Sequence, residues 1–133
     1  MANIQEKVAE WNRLLEDATP QGVLKFFMEE FPGKVMLASS LSAEDQVITE
    51  MMSSIDKEAK IITLDTGRLF PETYDLIDKT NDFFGIKLDV YFPDYHRVEA
   101  MVKERGINLF YHSLENRKMC CHIRKIEPLK RAM

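Results

Sequence analysis

The sequence is poor in cysteine, glycine and proline, and it has no long apolar run. Of its 133 residues, two are cysteine, five are glycine and five are proline. No apolar run approaches the roughly 20 residues that span a bilayer, and the N-terminus, MANIQEKVAEWN, is charged early and has no apolar core of a secretory signal. We therefore expect a cytoplasmic protein that does not interact with membranes.

The charge balance also excludes general affinity for nucleic acid. The formal net charge is −4, with 45% hydrophobic and 30% charged residues, as in an ordinary globular domain. An anionic ligand would therefore have to be held by local positive groups rather than by overall charge. The length favours a single domain.

The two cysteines, Cys120 and Cys121, are adjacent. Neighbouring Cα atoms lie about 3.8 Å apart, which is closer than the usual disulfide range, so we expect no structural disulfide between them. Closed zinc and iron–sulfur sites normally use four ligands. If the pair belongs to a metal site, this chain holds half of it.

Three apolar runs follow a helical lead-in and alternate with helical patterns. The runs predict strands near Val35–Ser39, Ile61–Asp65 and Leu88–Phe92. This alternation predicts an α/β fold, a parallel sheet with helices on both faces and right-handed crossovers. We expect the strand from Val35 to be interior and to neighbour the strand from Ile61.

Capping residues and periodicity locate the helices. The first two helices are expected near residues 3–17 and from Thr19-Pro20 to Pro32-Gly33. Three more are expected from the first strand's loop to Ser54, from Pro71 to Gly85, and from His96 to Gly106. A last helix is expected to start near Cys121, with Ile123, Ile126 and Leu129 facing inward. Residues 108–116 are predicted to be irregular. The chain stops within a helical pattern, and we expect the domain to continue beyond Met133.

The segment KVMLASSLSAEDQ, residues 34–46, predicts a buried strand, a tight loop with Ser39, Ser40 and Ser42, and a helix. A helix that starts there would aim free N–H groups at the loop, which suits a phosphate or sulfate. The alternative is an ordinary connection in which serine and glutamate act as caps. Glu44 and Asp45 are expected to complement the helix dipole rather than to act as an acid/base pair.

A second polar segment, Leu64–Arg68, follows the second predicted strand. Asp65 can accept hydrogen bonds from a ribose or a base amino group, and Gly67 allows close approach of the backbone. Arg68 offers a fork for an oxyanion. In sheets of this kind, ligands bind outside the carboxyl ends of the strands. The alternative is a turn with a solvated arginine.

The third segment, residues 117–125, surrounds the cysteine pair with basic or potentially basic side chains, which are Arg117, Lys118, His122, Arg124 and Lys125. Nearby cations favour the thiolate form of cysteine, and thiolates bind soft metals and iron–sulfur clusters. The alternative is a pair of buried cysteines at a helix start beneath a solvated basic face.

Together these segments resemble the assimilatory sulfonucleotide reductases, and specifically the adenylyl-sulfate reductases. The similar stretches are SSLSAED at 39–45, LDTGR at 64–68 with PETY at 71–74, and CCHIRKIEPLKRA at 120–132. The resemblance implies an adenine-nucleotide alpha-hydrolase-like (Rossmann-like) fold. It implies one domain over residues 1–133, in which 1–32 are a helical lead-in and 34–133 form the α/β part.

The resemblance also implies a function, namely the reduction of adenylyl sulfate to sulfite and AMP with thioredoxin as electron donor. The paired cysteine is similar to the branch of the family that carries a 4Fe-4S cluster. The resemblance implies that Ser39, Ser40 and Ser42 line the phosphosulfate pocket and that Leu64, Asp65, Thr66 and Gly67 hold the adenosine part. It also implies that Cys120 and Cys121 ligate the cluster, that Lys125 lies between cluster and substrate, and that Arg124 adds positive charge. Arg68 is a substrate-binding candidate on its own chemistry, as an oxyanion contact.

The family's second cysteine pair and its nucleophilic cysteine are expected downstream and are not in this chain. No catalytic nucleophile is therefore assigned here, and the chain alone is expected to be inactive. Two alternatives remain open, a reductase of 3′-phosphoadenylyl sulfate and a non-catalytic nucleotide-binding or redox-sensing module. A homo-oligomer also remains open.

Overall fold

The structure, a computed structural model, describes residues 3–133. Its elements are, in chain order, α1 (Ile4–Leu14), α2 (Pro20–Glu30), β1 (Met36–Ala38), α3 (Ala43–Ile55), β2 (Lys60–Leu64), α4 (Pro71–Phe84), β3 (Asp89–Tyr91), α5 (Tyr95–Arg105), a 3₁₀ turn (Leu109–Tyr111), α6 (Leu114–Cys121), a π-helical segment (His122–Ile126) and α7 (Glu127–Ala132). None of the helices in this part of the chain is long and apolar enough to cross a membrane.

The three strands form one parallel sheet in the order β1-β2-β3, which confirms the predicted α/β class. Leu37 aligns with Ile61, and Thr63 aligns with Val90. Among the described residues β1 pairs only with β2, as expected for that neighbour, and its interior position stays a prediction. Ile61–Thr63 of β2 is buried between its two neighbouring strands, whereas Ala38 at the end of β1 is exposed.

Helices cover both faces of the sheet, as predicted. On one face, Ile61 packs with Met52 of α3 and Ile77 of α4. Side chains alternate between faces along a strand, so Lys60 points to the other face, where its Nζ donates to the Ala132 carbonyl at 3.3 Å. The short α7 therefore lies on the face opposite α3 and α4.

Two predicted helix ends are confirmed by their capping geometry. The Thr19 hydroxyl accepts a hydrogen bond from the Gly22 N–H at 3.1 Å, and Pro20 occupies the first turn of α2. Gly85 ends α4 in the left-handed conformation, with φ of 64°. These ends were predictable because each depends on residues that are close in the sequence.

The prediction for the last helix needs correction. Residues 108–116 are not wholly irregular, because Leu109 is buried in the 3₁₀ turn and α6 begins at Leu114 rather than at Cys121. The Ser113 hydroxyl accepts from the Asn116 N–H at 3.1 Å and caps α6. This helix start has little apolar periodicity, so the sequence pattern did not reveal it.

The π-helical segment changes which side chains face inward. Ile123 is buried as expected, but Ile126 is 42% exposed and Arg124 is buried in its place. A π turn widens the helix and rotates the following side chains about the helix axis relative to their α-helical positions. Pro128 has no N–H to donate to the preceding turn, which favours the wider winding just before α7.

Candidate functional site

Two adjoining cavities open at the carboxyl ends of β1 and β2. The first, here called the serine cavity, has a volume of about 360 Å³ and is lined by Ser39, Ser40 and Leu64 among others. The second, the cysteine cavity, has a volume of about 300 Å³ and is lined by both cysteines and by Arg68, Arg117 and Arg124 among others. Thr66, Leu69 and Lys125 line both. The two cavities therefore share a wall.

Most of the residues singled out in the sequence lie at these cavities. Of the predicted substrate and cluster residues, Ser42, Asp65 and Gly67 line neither cavity. Lys125 borders both, so the structure brings the serine loop, the turn after β2 and the cysteine pair to one edge of the sheet. The binding roles of these residues remain predictions.

The serine loop is hydrogen-bonded to itself. Asp45 accepts the Ser40 N–H at 2.6 Å and the Ser40 hydroxyl at 2.7 Å. The Leu41 N–H donates to the Ser39 hydroxyl at 3.0 Å, and the Ser42 N–H lies 3.4 Å from the Ser40 hydroxyl. These three N–H donors belong to the loop. The N–H groups that the sequence led us to expect free are those of the first turn of α3, where the N-cap residue Ser42 makes no side-chain capping bond.

Asp45 is thus a site residue whose partner the sequence reasoning missed. The side-chain and backbone hydrogen bonds from Ser40 hold the pKa of the Asp45 carboxyl below its ordinary value. Asp45 lies in the first turn of α3, where a carboxylate also complements the helix dipole. The only sequence signal was its position five residues after Ser40, which is not specific enough to predict the contact.

Leu41 gives the loop its sharp bend. Its φ of 65° is in the left-handed region, which a leucine rarely adopts. The side chain is 6% exposed and packs in the main core cluster with Met52 and Ile61. Burial of this leucine therefore stabilises a strained backbone next to Ser40, as often occurs at functional sites.

Asp65 stabilises the turn after β2 and connects it to Tyr74 of α4. Asp65 Oδ1 accepts both the Gly67 N–H and the Tyr74 hydroxyl, each at 2.8 Å. The hydrogen bond to Asp65 raises the pKa of Tyr74 above its ordinary value. The carboxylate is therefore engaged with its own chain.

Arg124 holds the same turn from the side of the π-helical segment. Its Nη1 donates to the Thr66 carbonyl at 2.7 Å, and the side chain is buried. Its Nε has no hydrogen-bond partner among the described residues. Gly67 has φ of 77°, and a Cβ at that position would lie 3.0 Å from Arg124 Nη1. Gly67 thus allows the close approach of an arginine side chain.

Arg68 is exposed, and its guanidinium makes two contacts with the segment after α5. Its Nη2 donates to Asn108 Oδ1 at 2.9 Å, and its guanidinium lies 4.8 Å from the centre of the Phe110 ring. Such a cation–π contact orients the guanidinium plane. The arrangement leaves a positive group at the wall of the cysteine cavity.

The two thiols differ in exposure. Cys120 is buried and packs with Met101, Leu109 and Ile123, whereas Cys121 is exposed. The alternative in which both cysteines are buried is therefore wrong, since adjacent helical residues point in different directions. Both are free thiols in the structure.

The donor set fits part of an iron–sulfur site. Thiolate sulfur is the usual ligand of such clusters, and the positive groups of Arg117, Arg124 and Lys125 share the cysteine cavity with both thiols. Within residues 3–133, no three or more histidine, cysteine, aspartate or glutamate residues are grouped to hold a metal ion. His122 lies beside Glu127 instead, with 3.5 Å between Nε2 and Oε1.

A parallel sheet with a serine loop, a polar turn and a cationic thiol pair at its carboxyl edge defines the class, an α/β protein of the nucleotide-binding type. The profile of the phosphoadenosine phosphosulfate reductase domain matches residues 34–133. The chain belongs to this family, and the fold is that of the adenine-nucleotide alpha-hydrolases, as the resemblance implied.

Three relatives illustrate the similarity. An adenosine 5′-phosphosulfate reductase of Pseudomonas aeruginosa is 43% identical over 119 residues, which are 90% of this chain and 43% of that protein. The chloroplastic 5′-adenylylsulfate reductase 3 of Arabidopsis thaliana is 36% identical over 128 residues, 96% of this chain and 27% of that protein. The crystal structure of phosphoadenylyl-sulfate reductase from Candida auris, a phosphate complex, is 28% identical with a TM-score of 0.78, covering 99% of this chain and 63% of that one. The chain thus spans less than half the length of these two curated relatives.

Proposed function

We propose that this chain is the nucleotide-binding part of an adenylyl-sulfate reductase, an oxidoreductase that reduces adenylyl sulfate to sulfite and AMP with thioredoxin as electron donor. The observation that carries the proposal is the shared wall of the two cavities, where Thr66 and Lys125 border both the serine loop and the thiol pair. The names of the relatives support the same activity. Residues 1–133 form one domain in this proposal.

The substrate roles follow from the chemistry of each wall. The serine cavity takes the phosphosulfate group, with Ser39 and Ser40 at its wall and Ser42 at the start of α3. The main chain and side chains of Leu64–Gly67 take the adenosine part, and Arg68 and Arg124 supply positive charge from the adjoining cysteine cavity. A dianionic ligand needs such local charge because the chain as a whole is negative.

Cys120 and Cys121 would hold two of the positions of a 4Fe-4S cluster. A cluster bound there supplies a thiolate-ligated iron centre whose reduction potential depends on nearby charge and hydrogen bonds. The residues of this chain offset its negative charge, since Arg117, Arg124 and Lys125 line the same cavity. Lys125 can at the same time contact an anion in the serine cavity, so it orients the substrate towards the cysteine side.

A second candidate, reduction of 3′-phosphoadenylyl sulfate, is favoured by one observation, the overall structural similarity to the Candida auris phosphoadenylyl-sulfate reductase. Competition calorimetry separates the two. We expect the chain to bind adenylyl sulfate and AMP more tightly than their 3′-phosphorylated counterparts. The reverse order would assign the second activity.

The first prediction tests the serine cavity. Ser40→Leu removes the hydroxyl that Asp45 fixes and fills the cavity wall, so the affinity for AMP and adenylyl sulfate should fall by about tenfold or more, which corresponds to loss of roughly one well-placed hydrogen bond with added steric cost. Isothermal calorimetry measures the dissociation constants. Ser54→Leu is the matched control, because Ser54 is exposed on α3 and bonds only Glu50. Equal affinity of Ser40→Leu and Ser54→Leu for both nucleotides would contradict the pocket.

A further inference from the structure

The contact between Tyr74 and Asp65 joins α4 to the turn after β2. The Tyr74 hydroxyl donates to Asp65 Oδ1 at 2.8 Å, and the same oxygen accepts the Gly67 N–H at 2.8 Å. Asp65 is only 7% exposed, whereas the Tyr74 residue is 40% exposed. The tyrosine therefore contributes a hydroxyl to a buried carboxylate while its ring packs only partly.

Asp65 acts on the site through the backbone. It lines neither cavity, but the residue that follows it, Thr66, lines both and is 8% exposed. Thr66 is held from the opposite side by Arg124, whose Nη1 donates to its carbonyl at 2.7 Å. Within the turn, the Arg68 N–H donates to the Thr66 hydroxyl at 3.2 Å. Two side chains of other elements support the turn as well, Tyr74 of α4 through Asp65 and Arg124 of the π-helical segment.

We propose that Tyr74 is a positioning residue of the nucleotide site, which acts through Asp65 to fix the turn at Thr66 and Gly67. This inference rests on the proposed function, since it concerns the affinity of the same site for adenosine nucleotides. A buried carboxylate can adopt other rotamers when it loses a donor, and an unpaired buried oxygen is costly. Without the hydroxyl, Asp65 can turn away from the Gly67 N–H, and the turn loses one of the two side-chain supports that it receives from other elements.

Tyr74→Phe tests the proposal, because it removes the hydroxyl and retains the ring. We expect the dissociation constant of AMP to rise by about five- to tenfold, the effect of one hydrogen bond, with an unchanged circular dichroism spectrum. Tyr95→Phe is the matched control, since Tyr95 is 65% exposed and lines neither cavity. Equal AMP affinity of the two variants would overturn the inference.

A double-mutant cycle distinguishes positioning through Asp65 from a general structural effect. In an Asp65→Ala background, Tyr74→Phe should cause no further loss of AMP affinity. A full additional loss there would overturn the role of Asp65. If Asp65→Ala does not fold, the ¹⁵N–¹H signal of Gly67 supplies the second measurement: it should shift in Tyr74→Phe and stay in place in Tyr95→Phe, and an unmoved signal would overturn the inference.

The outcomes also separate this inference from the proposed function. If the unsubstituted chain binds neither AMP nor adenylyl sulfate, the proposed function fails and the inference fails with it. If the unsubstituted chain binds AMP and Tyr74→Phe binds it equally well, the inference fails and the proposed function stands.

Discussion

At the scale of single residues, the serine loop shows how far composition predicts contacts. The serines were predicted to be at a ligand site because small hydroxyl residues between a strand and a helix suit an anion. The loop's own hydrogen bonds were not predictable, because they depend on the left-handed backbone of Leu41 and on the side-chain conformation of Asp45. An anion that uses the Ser40 N–H must therefore exchange with the Asp45 carboxylate.

Asp45→Asn should destabilise the chain in a pH-dependent way. The pKa of Asp45 is lowered by its bonds from Ser40, so its ionised form contributes stability above the unfolded pKa of about 3.9. That contribution is lost as the pH falls through the lower folded pKa. We expect the variant to lose about 1 kcal/mol at pH 7, since the bonds are charge-assisted but partly solvated.

Urea denaturation at several pH values measures this effect. The difference between Asp45→Asn and the unsubstituted chain should be largest near neutrality and should shrink as the pH falls below about 3.9. Asp78→Asn, at an exposed position on α4, is the matched control. A difference that stays constant from pH 7 down to the lowest pH at which the chain folds would contradict the assigned contact.

At the scale of elements, the continuous path from α6 through the π-helical segment to α7 departs most from the sequence pattern. Apolar spacing correctly predicted Ile123 as inward, but it could not predict that Arg124 would be buried. A buried arginine side chain is unusual. Here its burial is tolerated because Arg124 donates a hydrogen bond to the Thr66 carbonyl. That contact joins residues 58 positions apart, so no local sequence rule reveals it.

The two cysteines at the end of α6 are expected to differ in reactivity. Cys121 is exposed and Cys120 is packed in a core cluster, so Cys121 should react with iodoacetamide roughly tenfold faster or more, because a buried thiol must wait for local opening. Mass spectrometry of the single variants Cys120→Ala and Cys121→Ala measures each rate separately. Equal reaction rates of the two thiols in the native state would contradict the burial of Cys120. The control is the same reaction in 6 M guanidinium, where the chain is unfolded and the two rates should become equal.

At the scale of the whole molecule, the parallel sheet and its helical layers were predictable from the alternation of apolar runs and helix-length connections. The order of the strands was only partly predictable. Pairing of β1 with β2 was expected, and among the three described strands β2 is central, with its buried run Ile61–Thr63 between two neighbours. The cavities then follow from topology, since the carboxyl ends of parallel strands meet at one edge.

The last prediction concerns the cluster. A 4Fe-4S cluster is held by four cysteine thiolates, and this chain has two cysteines. The proposed cluster would need two further thiolates from outside residues 1–133, so the monomeric chain alone should not retain a stoichiometric cluster. Anaerobic reconstitution with iron and sulfide, followed by gel filtration, iron counting and visible absorbance, should leave the chain nearly colourless. Cys121→Ser should behave like the unsubstituted chain in this assay, but it should lose iron in a longer protein that supplies the remaining ligands. A stable cluster of four irons per monomeric chain would show that non-cysteine ligands within these residues complete the site, and the half-site assignment of Cys120 and Cys121 would then be wrong.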